Sequence, residues 1–291
     1  MFDVRYHALS LAGVFIALVV GLLLGVAIGD KELVSSARND VRKSLRRDVV
    51  RANNDRDAAR FSLDEQQQYV EAAYPILTGG QLRGRTIGLV LLGENKDLPA
   101  IVDKALEPTG ADLKVVATVS DTVDLGKLAV LARGLRYERL AQAPSLLDDL
   151  GKRIGIQVVK GGKLINAMRA QLMRSTSGQF GGLDGVIVMR SPSDAPAGDQ
   201  QALERRDALY DGIARGLAQT GVSAVGIETR DTQPSQVSWY RDRGLSSVDN
   251  IDESAGRAAL VFVLAGSDGA YGRRDSAQAL LPPVIGRVPR R

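Results

Sequence analysis

The chain has 291 residues, no cysteine, one histidine and a formal net charge of +4 at neutral pH. Without cysteine it has no disulfide, no thiolate nucleophile and no Cys-based metal site. The only histidine, His7, stands at the edge of the N-terminal apolar run, which removes Ser-His-Asp catalysis, and a single histidine removes any multi-histidine metal centre. The charge is modest and arginine exceeds lysine about three to one, so we expect no nucleic-acid partner.

Ala8 to Ile28 is an uninterrupted apolar run without charge or proline. About 20 such residues cross a bilayer core as a helix, and a helix satisfies its own backbone polar groups in lipid. Residues 1–29 are therefore predicted to be a single-pass anchor in the cell membrane. A cleavable signal peptide is the rival reading, since Ala27-Ile28-Gly29 resembles a small-x-small cleavage site. The apolar run exceeds the roughly 7–15 residues of a signal core, so we expect an uncleaved anchor. Gly13, Ala17, Gly21, Gly25 and Gly29 recur every four residues. Small residues at that spacing let helices pack closely in lipid; alternatively, glycine is simply common in membrane helices. Lys31, Arg38, Arg42, Lys43, Arg46 and Arg47 follow the anchor, whereas Arg5 alone precedes it. The positive-inside rule would put the following segment in the cytoplasm, although long domains translocate against that bias.

Residues 30–78 read as one long membrane-proximal helix. Val34, Ala37 and Val41 follow a/d spacing, Leu45 and Val49 continue it through a four-residue stutter, and Ala52, Ala59, Leu63, Val70, Ala73 and Leu77 resume the heptad. Such recurrence predicts a coiled coil, locally unwound at the stutter and weakened by Arg56 and Gln66 on the seam. A single amphipathic helix packed on the next domain is the alternative. The membrane helix and the heptads together predict a parallel homodimer.

Thr78-Gly79-Gly80 should end this helix. Residues 79–266 then alternate short apolar runs with helical patterns. Strands are predicted at Thr86–Leu92, Leu113–Val119, Leu183–Met189, Val222–Glu228 and Ser246–Val248. Helices are predicted at Leu98–Leu106, Leu125–Leu135, Pro144–Ile154, Lys163–Met173, Asp199–Gln219, Gln233–Arg241 and from Asp252 or Glu253 through Ala265. The alternation predicts an α/β fold, a Rossmann-like or flavodoxin-like parallel sheet covered on both faces. Residues 267–291, rich in glycine, proline and arginine, are expected to be irregular.

Ligands of such sheets bind at the carboxyl ends of the strands. The turn after the first strand, Gly93-Glu94-Asn95-Lys96-Asp97, lacks the G-x-G-x-x-G pattern, and neither a P-loop nor a G-x-S-x-G elbow occurs. No cofactor is expected. Glu94, Asp97, Glu228, Asp231, Asp249 and Asp252 fall near strand ends. They suit acid–base work or a hard cation, but helix capping or loop solvation is the favoured reading, with Asp97 and Asp252 each before a helix. Met168, Met173 and Met189 are soft enough for Cu(I), but their placement suits the core.

Val4-Arg-Tyr-His-Ala-Leu-Ser-Leu-Ala-Gly-Val-Phe-Ile-Ala-Leu, Leu245-Ser-Ser-Val-Asp-Asn-Ile-Asp252, Gly256-Arg-Ala-Ala-Leu-Val-Phe-Val-Leu-Ala-Gly266 and Gly269-Ala-Tyr-Gly272 resemble the actinobacterial copper-transport protein B (MctB-like) family. The resemblance spans nearly the whole chain. It implies a role in copper efflux or homeostasis at the cell envelope. A corynebacterial branch of the family is similar to proteins linked to daughter-cell separation and control of peptidoglycan hydrolases. The resemblance carries over no catalytic residue, and the role of Asp249 and Asp252 in their motif stays open. A copper conduit would present Cys, Met or His along its route, whereas this sequence has no cysteine, one histidine and no evident methionine cluster. We therefore expect a non-catalytic, membrane-anchored scaffold or regulator that acts on an envelope or division protein partner. Copper handling and a carboxylate-based enzyme are the alternatives.

Overall fold

A computed structural model describes residues 4–28, 31–132, 137–140, 143, 145–192 and 200–283. Gly29, the predicted helix end at Leu135 and the predicted helix starts at Pro144 and Asp199 lie outside them. So do the side chains of Val34 and Ala37. The chain divides into two compact units, Met1–Gln67 and Gln68–Arg291.

The first unit holds helix α1 (Val4–Ile28) and most of helix α2 (Lys31–Thr78). The stretch Arg5–Ala27 is long and apolar enough to cross a membrane, and none of it is buried within the chain. Its 23 residues rise about 35 Å, more than the hydrocarbon core requires.

The second unit begins with the last turns of α2. Tyr74 donates its hydroxyl to the Ala105 carbonyl at 2.5 Å. Glu71 accepts from Ser254 Oγ and Arg257 Nη2, both at 2.6 Å. Glu71, Tyr74 and Thr78 lie three and four residues apart and so share one helix face. The α/β unit thus starts within α2, eleven residues before the predicted boundary at Gly79. Thr78-Gly79-Gly80 does end the helix, with Gly80 left-handed at φ 69°.

Seven strands form one sheet in the order β3-β2-β1-β4-β5-β6-β7. They are β1 (Thr86–Leu92), β2 (Asp112–Val119), β3 (Met173–Gly178), β4 (Gly185–Arg190), β5 (Ser223–Ile227), β6 (Ser246–Val248) and β7 (Ala270–Tyr271). All neighbours pair in parallel except β2 and β3. β1 lies inside the sheet between β2 and β4, Ile87 opposite Leu113 and Gly185, and is buried from Ile87 to Leu92. Burial on both sides explains its unbroken apolar run. Side chains still alternate: Val90, Leu92, Val186 and Val188 enter one core layer, and Ile87, Leu89, Leu91, Ile187 and Met189 the other.

The second layer is covered by α3 (Leu98–Leu106) and α9 (Ser254–Leu264). The first is covered by α4 (Leu125–Leu131), α5 (Leu146–Lys160), α6 (Lys163–Leu172) and α7 (Gln200–Ala218), while α8 (Val237–Arg241) adds Tyr240.

The helix predicted over Gln233–Arg241 forms only from Val237, and three further elements differ from expectation. Helix α6 stops at Leu172 and the chain turns into the edge strand β3, which is mostly exposed and polar. An edge strand with solvent on one side needs no apolar run, so no periodicity marks it. Helix α5 continues past the expected end at Ile154 to Lys160. Gly155 reads as a stop but sits mid-helix. There Gly151 and Gly155 face Gly212 and Gly216 on α7, and a Cβ on Gly155 would lie 3.1 Å from Gly216 Cα and 2.9 Å from Leu217 N. Third, residues 270–271 of the expected irregular tail form β7.

The α5–α7 contact is backbone against backbone, so it cannot yield to a side chain. Gly155→Ala should cost about 1–3 kcal/mol through overpacking, although alanine normally favours a helix by about 1 kcal/mol. Gly126→Ala, on exposed α4 with only Asp124 Oδ1 nearby, should be neutral or stabilising. Urea melts of the two variants decide between packing and propensity.

Candidate functional site

The carboxyl ends of the parallel strands carry the acids singled out in the sequence. At the β1 end, Glu94 pairs with Arg174 of β3 and with Lys96 at 3.7 Å. Asp97 occupies the cap position of α3 but accepts nothing with its side chain. Asn95 does the capping, taking Leu98 N at 3.0 Å and Asp97 N at 3.2 Å. Asx side chains reach the amide two or three residues on, which makes Asn95 the better placed.

The β5, β6 and β7 ends bring together Glu228, Asp249 and Arg274. Glu228 is fully buried. It accepts from Ser235 Oγ at 2.8 Å and from Gln236 N, and faces Arg274 Nε at 2.6 Å. Asp249, also buried, receives the backbone amides of Arg273 at 2.8 Å and Arg274 at 2.9 Å. The Arg274 guanidinium donates onward to the carbonyls of Thr232 at 2.6 Å and Arg230 at 3.1 Å.

Asp252 does not cap α9, contrary to expectation. The cap position belongs to Glu253, which makes no side-chain cap bond. Asp252 instead accepts from Arg230 N at 2.9 Å. Glu253 pairs with Arg273 at 2.8 Å and Arg230 at 3.4 Å. Asp231 points to solvent beside Arg230. Asp249 and Asp252 thus fasten loops: one holds the turn after β7, the other the turn after β5. A general acid or base must reach substrate, whereas Glu228, Asp249 and Asp252 are engaged by donors of their own chain.

A second cluster left no mark in the sequence reading. Trp239 lies between the guanidinium groups of Arg190, 5.0 Å from the ring centroid, and Arg243, 4.2 Å away. Its indole N–H donates to Asp211 at 3.0 Å, and Asp211 also takes Arg243 Nε at 2.7 Å. Arg190 reaches Gln236 at 2.6 Å and Asp207 at 3.1 Å. The available signal was spacing: Asp207 and Asp211 are four apart on α7, as are Trp239 and Arg243. Tyr240 is tied on both sides, accepting from Arg190 N and donating to the Ile227 carbonyl, each at 2.9 Å. Burial pushes its hydroxyl far above the usual phenol range.

Metal-binding groups do not converge. Met168 and Met173 are buried in one core layer and Met189 in the other, across the sheet. Among the described residues no three His, Asp or Glu side chains are grouped to hold an ion. Among the described residues, most of the helical seam positions are exposed. No atom lies within 4 Å of a Cβ placed on Gly13, Gly21 or Gly25. Ala17 is exposed, as are Val41, Leu45, Val49, Ala52, Ala59, Leu63 and Val70; Ala73 is partly buried. A shallow groove on α2 is lined by Lys43, Arg46, Arg47, Val50, Arg51, Asn54 and Asp55, all from that one helix.

The motif Leu245 to Asp252 and the following Gly269 to Gly272 are thus one device, a tail strand and its buried acid. Sequence comparison relates the chain to known proteins. The family described as "Copper transport outer membrane protein, MctB" matches residues 1–282. The chain belongs to the MctB family. Copper transporter MctB of Mycobacterium leprae is 28% identical over 334 residues, covering 97% of this chain and 100% of that protein. Copper transporter MctB of Mycobacterium tuberculosis is 24% identical over 319 residues, covering 96% and 99%. Copper transporter MctB of Mycobacterium bovis is similar to the same extent. The MctB match takes in the apolar N-terminal helix, whose length suits a single membrane anchor.

Two outcomes follow from the acids of this MctB-family protein. Asp249→Ala takes the acceptor from two partly buried amides, at a cost of about 1–3 kcal/mol. Limited trypsin digestion should then cut after Arg273 or Arg274 faster than in the wild type, while Asp231→Ala changes nothing. Glu228 titrates above its ordinary 4.5 because burial strips water from its charged form. The ionised carboxylate therefore subtracts stability above the folded pKa, and the subtraction vanishes below the unfolded value. Glu228→Gln should gain stability relative to wild type as pH rises from about 4 to about 8, read from urea midpoints.

Proposed function

We propose that this MctB-family protein is a non-catalytic scaffold or regulator of the cell envelope, held in the cell membrane by α1 and acting through protein partners. One observation carries the reading: the buried acids at the strand ends are occupied by donors of their own chain, while α2 keeps a long apolar seam free. The α/β unit is best read as a flavodoxin-like relative of the Rossmann fold. Leaving out the antiparallel β3, its parallel strands run 2-1-3-4-5-6, which continues the flavodoxin order. Beside the β1 end, Glu94 is paired with Arg174, and the Ser191 hydroxyl donates to the Glu94 carbonyl at 2.9 Å. Cell separation is the process to examine first, because one branch of the family that the sequence resembles is similar to proteins linked to it.

The second reading is copper efflux or homeostasis, which the names of the family and of its mycobacterial members favour. The two differ in soft-metal affinity. With its thioethers split between two core layers, the full-length protein in detergent should bind Cu(I) no more tightly than about micromolar. Competition against a Cu(I) chelator measures this. Sub-nanomolar binding, lost in Met168→Leu with Met173→Leu, would replace the scaffold by a copper-handling protein.

A further inference from the structure

We propose that the exposed apolar face of α2 docks onto the same helix of a second copy of this chain, parallel and in register. The inference rests on the scaffold reading and names one of its protein contacts.

In the unit Gln68–Arg291, the last turns of α2 have two unlike faces. Tyr74 and Thr78 are buried, with Glu71 bonded to Ser254 and Arg257 beside them. On the other side, Tyr69 is 76% and Ile76 82% exposed, and Val70 and Leu77 are exposed with them. Side chains of this size in one contiguous face mark an interaction surface. In the unit Met1–Gln67, Val41, Leu45, Val49 and Leu63 are likewise exposed. In the sequence these positions belong to one a/d series, and two copies of such a series are self-complementary.

Charge identifies the occupant. Asp55 immediately precedes the seam residue Arg56, and Arg60 immediately follows the seam residue Ala59. They hold the g and following e positions, five residues apart, which face each other across a parallel pair. Both are exposed, and neither has an ion-pair partner in its own chain among the described residues. Arg56, which would otherwise meet its own copy across the seam, is drawn aside to Asp57 at 3.0 Å. Two copies held by N-terminal helices in one membrane enter the pair in the same direction, and that tethering raises the effective concentration of the second helix. Tyr69 and Ile76 also occupy g positions, so they widen the seam on the flank that the α/β body leaves free.

The absence of cysteine makes the test direct. In native membranes, mild oxidation of full-length Val70→Cys should yield a disulfide-linked dimer several-fold more abundant than from Gln68→Cys, on the outer face. Asp55→Arg should lower the Val70→Cys yield several-fold, and adding Arg60→Asp should restore it. Circular dichroism of each purified variant confirms that the helix is kept. Equal yields at positions 68 and 70, or cross-linking only to a different protein, would overturn the second copy as occupant. A charge swap that fails to restore the yield would overturn the parallel register. Either result leaves the scaffold reading standing, and that reading falls instead to tight Cu(I) binding.

Discussion

The buried guanidinium of Arg257 joins the two kinds of structure in this chain. It reaches Glu71 at the end of the long helix, Ser254 at 2.8 Å and the Asp252 carbonyl at 3.1 Å, with the Tyr74 ring 5.5 Å away. A charge this buried persists only when paired, and removal of one partner leaves the other uncompensated. Hydrogen bonds to Ser254 and then to Arg257 hold the Glu71 carboxyl below its usual range. The long helix thus ends as part of the α/β unit rather than beside it. The same arginine sits in the Gly256-to-Gly266 segment that resembles the family, which gives that segment a mechanical reason to exist.

Much of the fold was legible because it follows local periodicity. The unbroken run Thr86–Leu92 became an inner strand of the sheet, and the apolar spacing of Leu98–Leu106 became a helix with the same ends. The rest was hidden wherever a residue's role depends on a distant partner. Gly155 looks like a helix stop until Gly216, some sixty residues later, is placed against it. The polar strand β3 has no signature of its own, because its place is set by β2. Asp97 and Asp252 stand where caps are expected, yet Asn95 caps one helix and Asp252 bonds to Arg230.

The candidate site shows the same division. The sequence placed acids at strand ends correctly, since strand boundaries were visible. It could not reveal that Asp249 faces the amides of Arg273 and Arg274, because that contact closes a loop of more than twenty residues. Nor could it pair Trp239 with Arg190, which come from separate strand–helix units. Three of the four methionines divide between the two core layers, Met168 and Met173 in one and Met189 in the other, a division that periodicity alone does not display.

The seventh strand has a consequence for how the domain is made. β7 is supplied about 240 residues after the apolar helix α1 and closes the sheet against β6. Until it is synthesised, the β6 edge has no neighbour on that side, and the carboxylate of Asp249 lacks the amides that hold it. An unpaired edge is a template for wrong pairing. Nascent copies inserted in one membrane would thus pass through a sticky interval, and the rate at which the last stretch of chain emerges sets its duration.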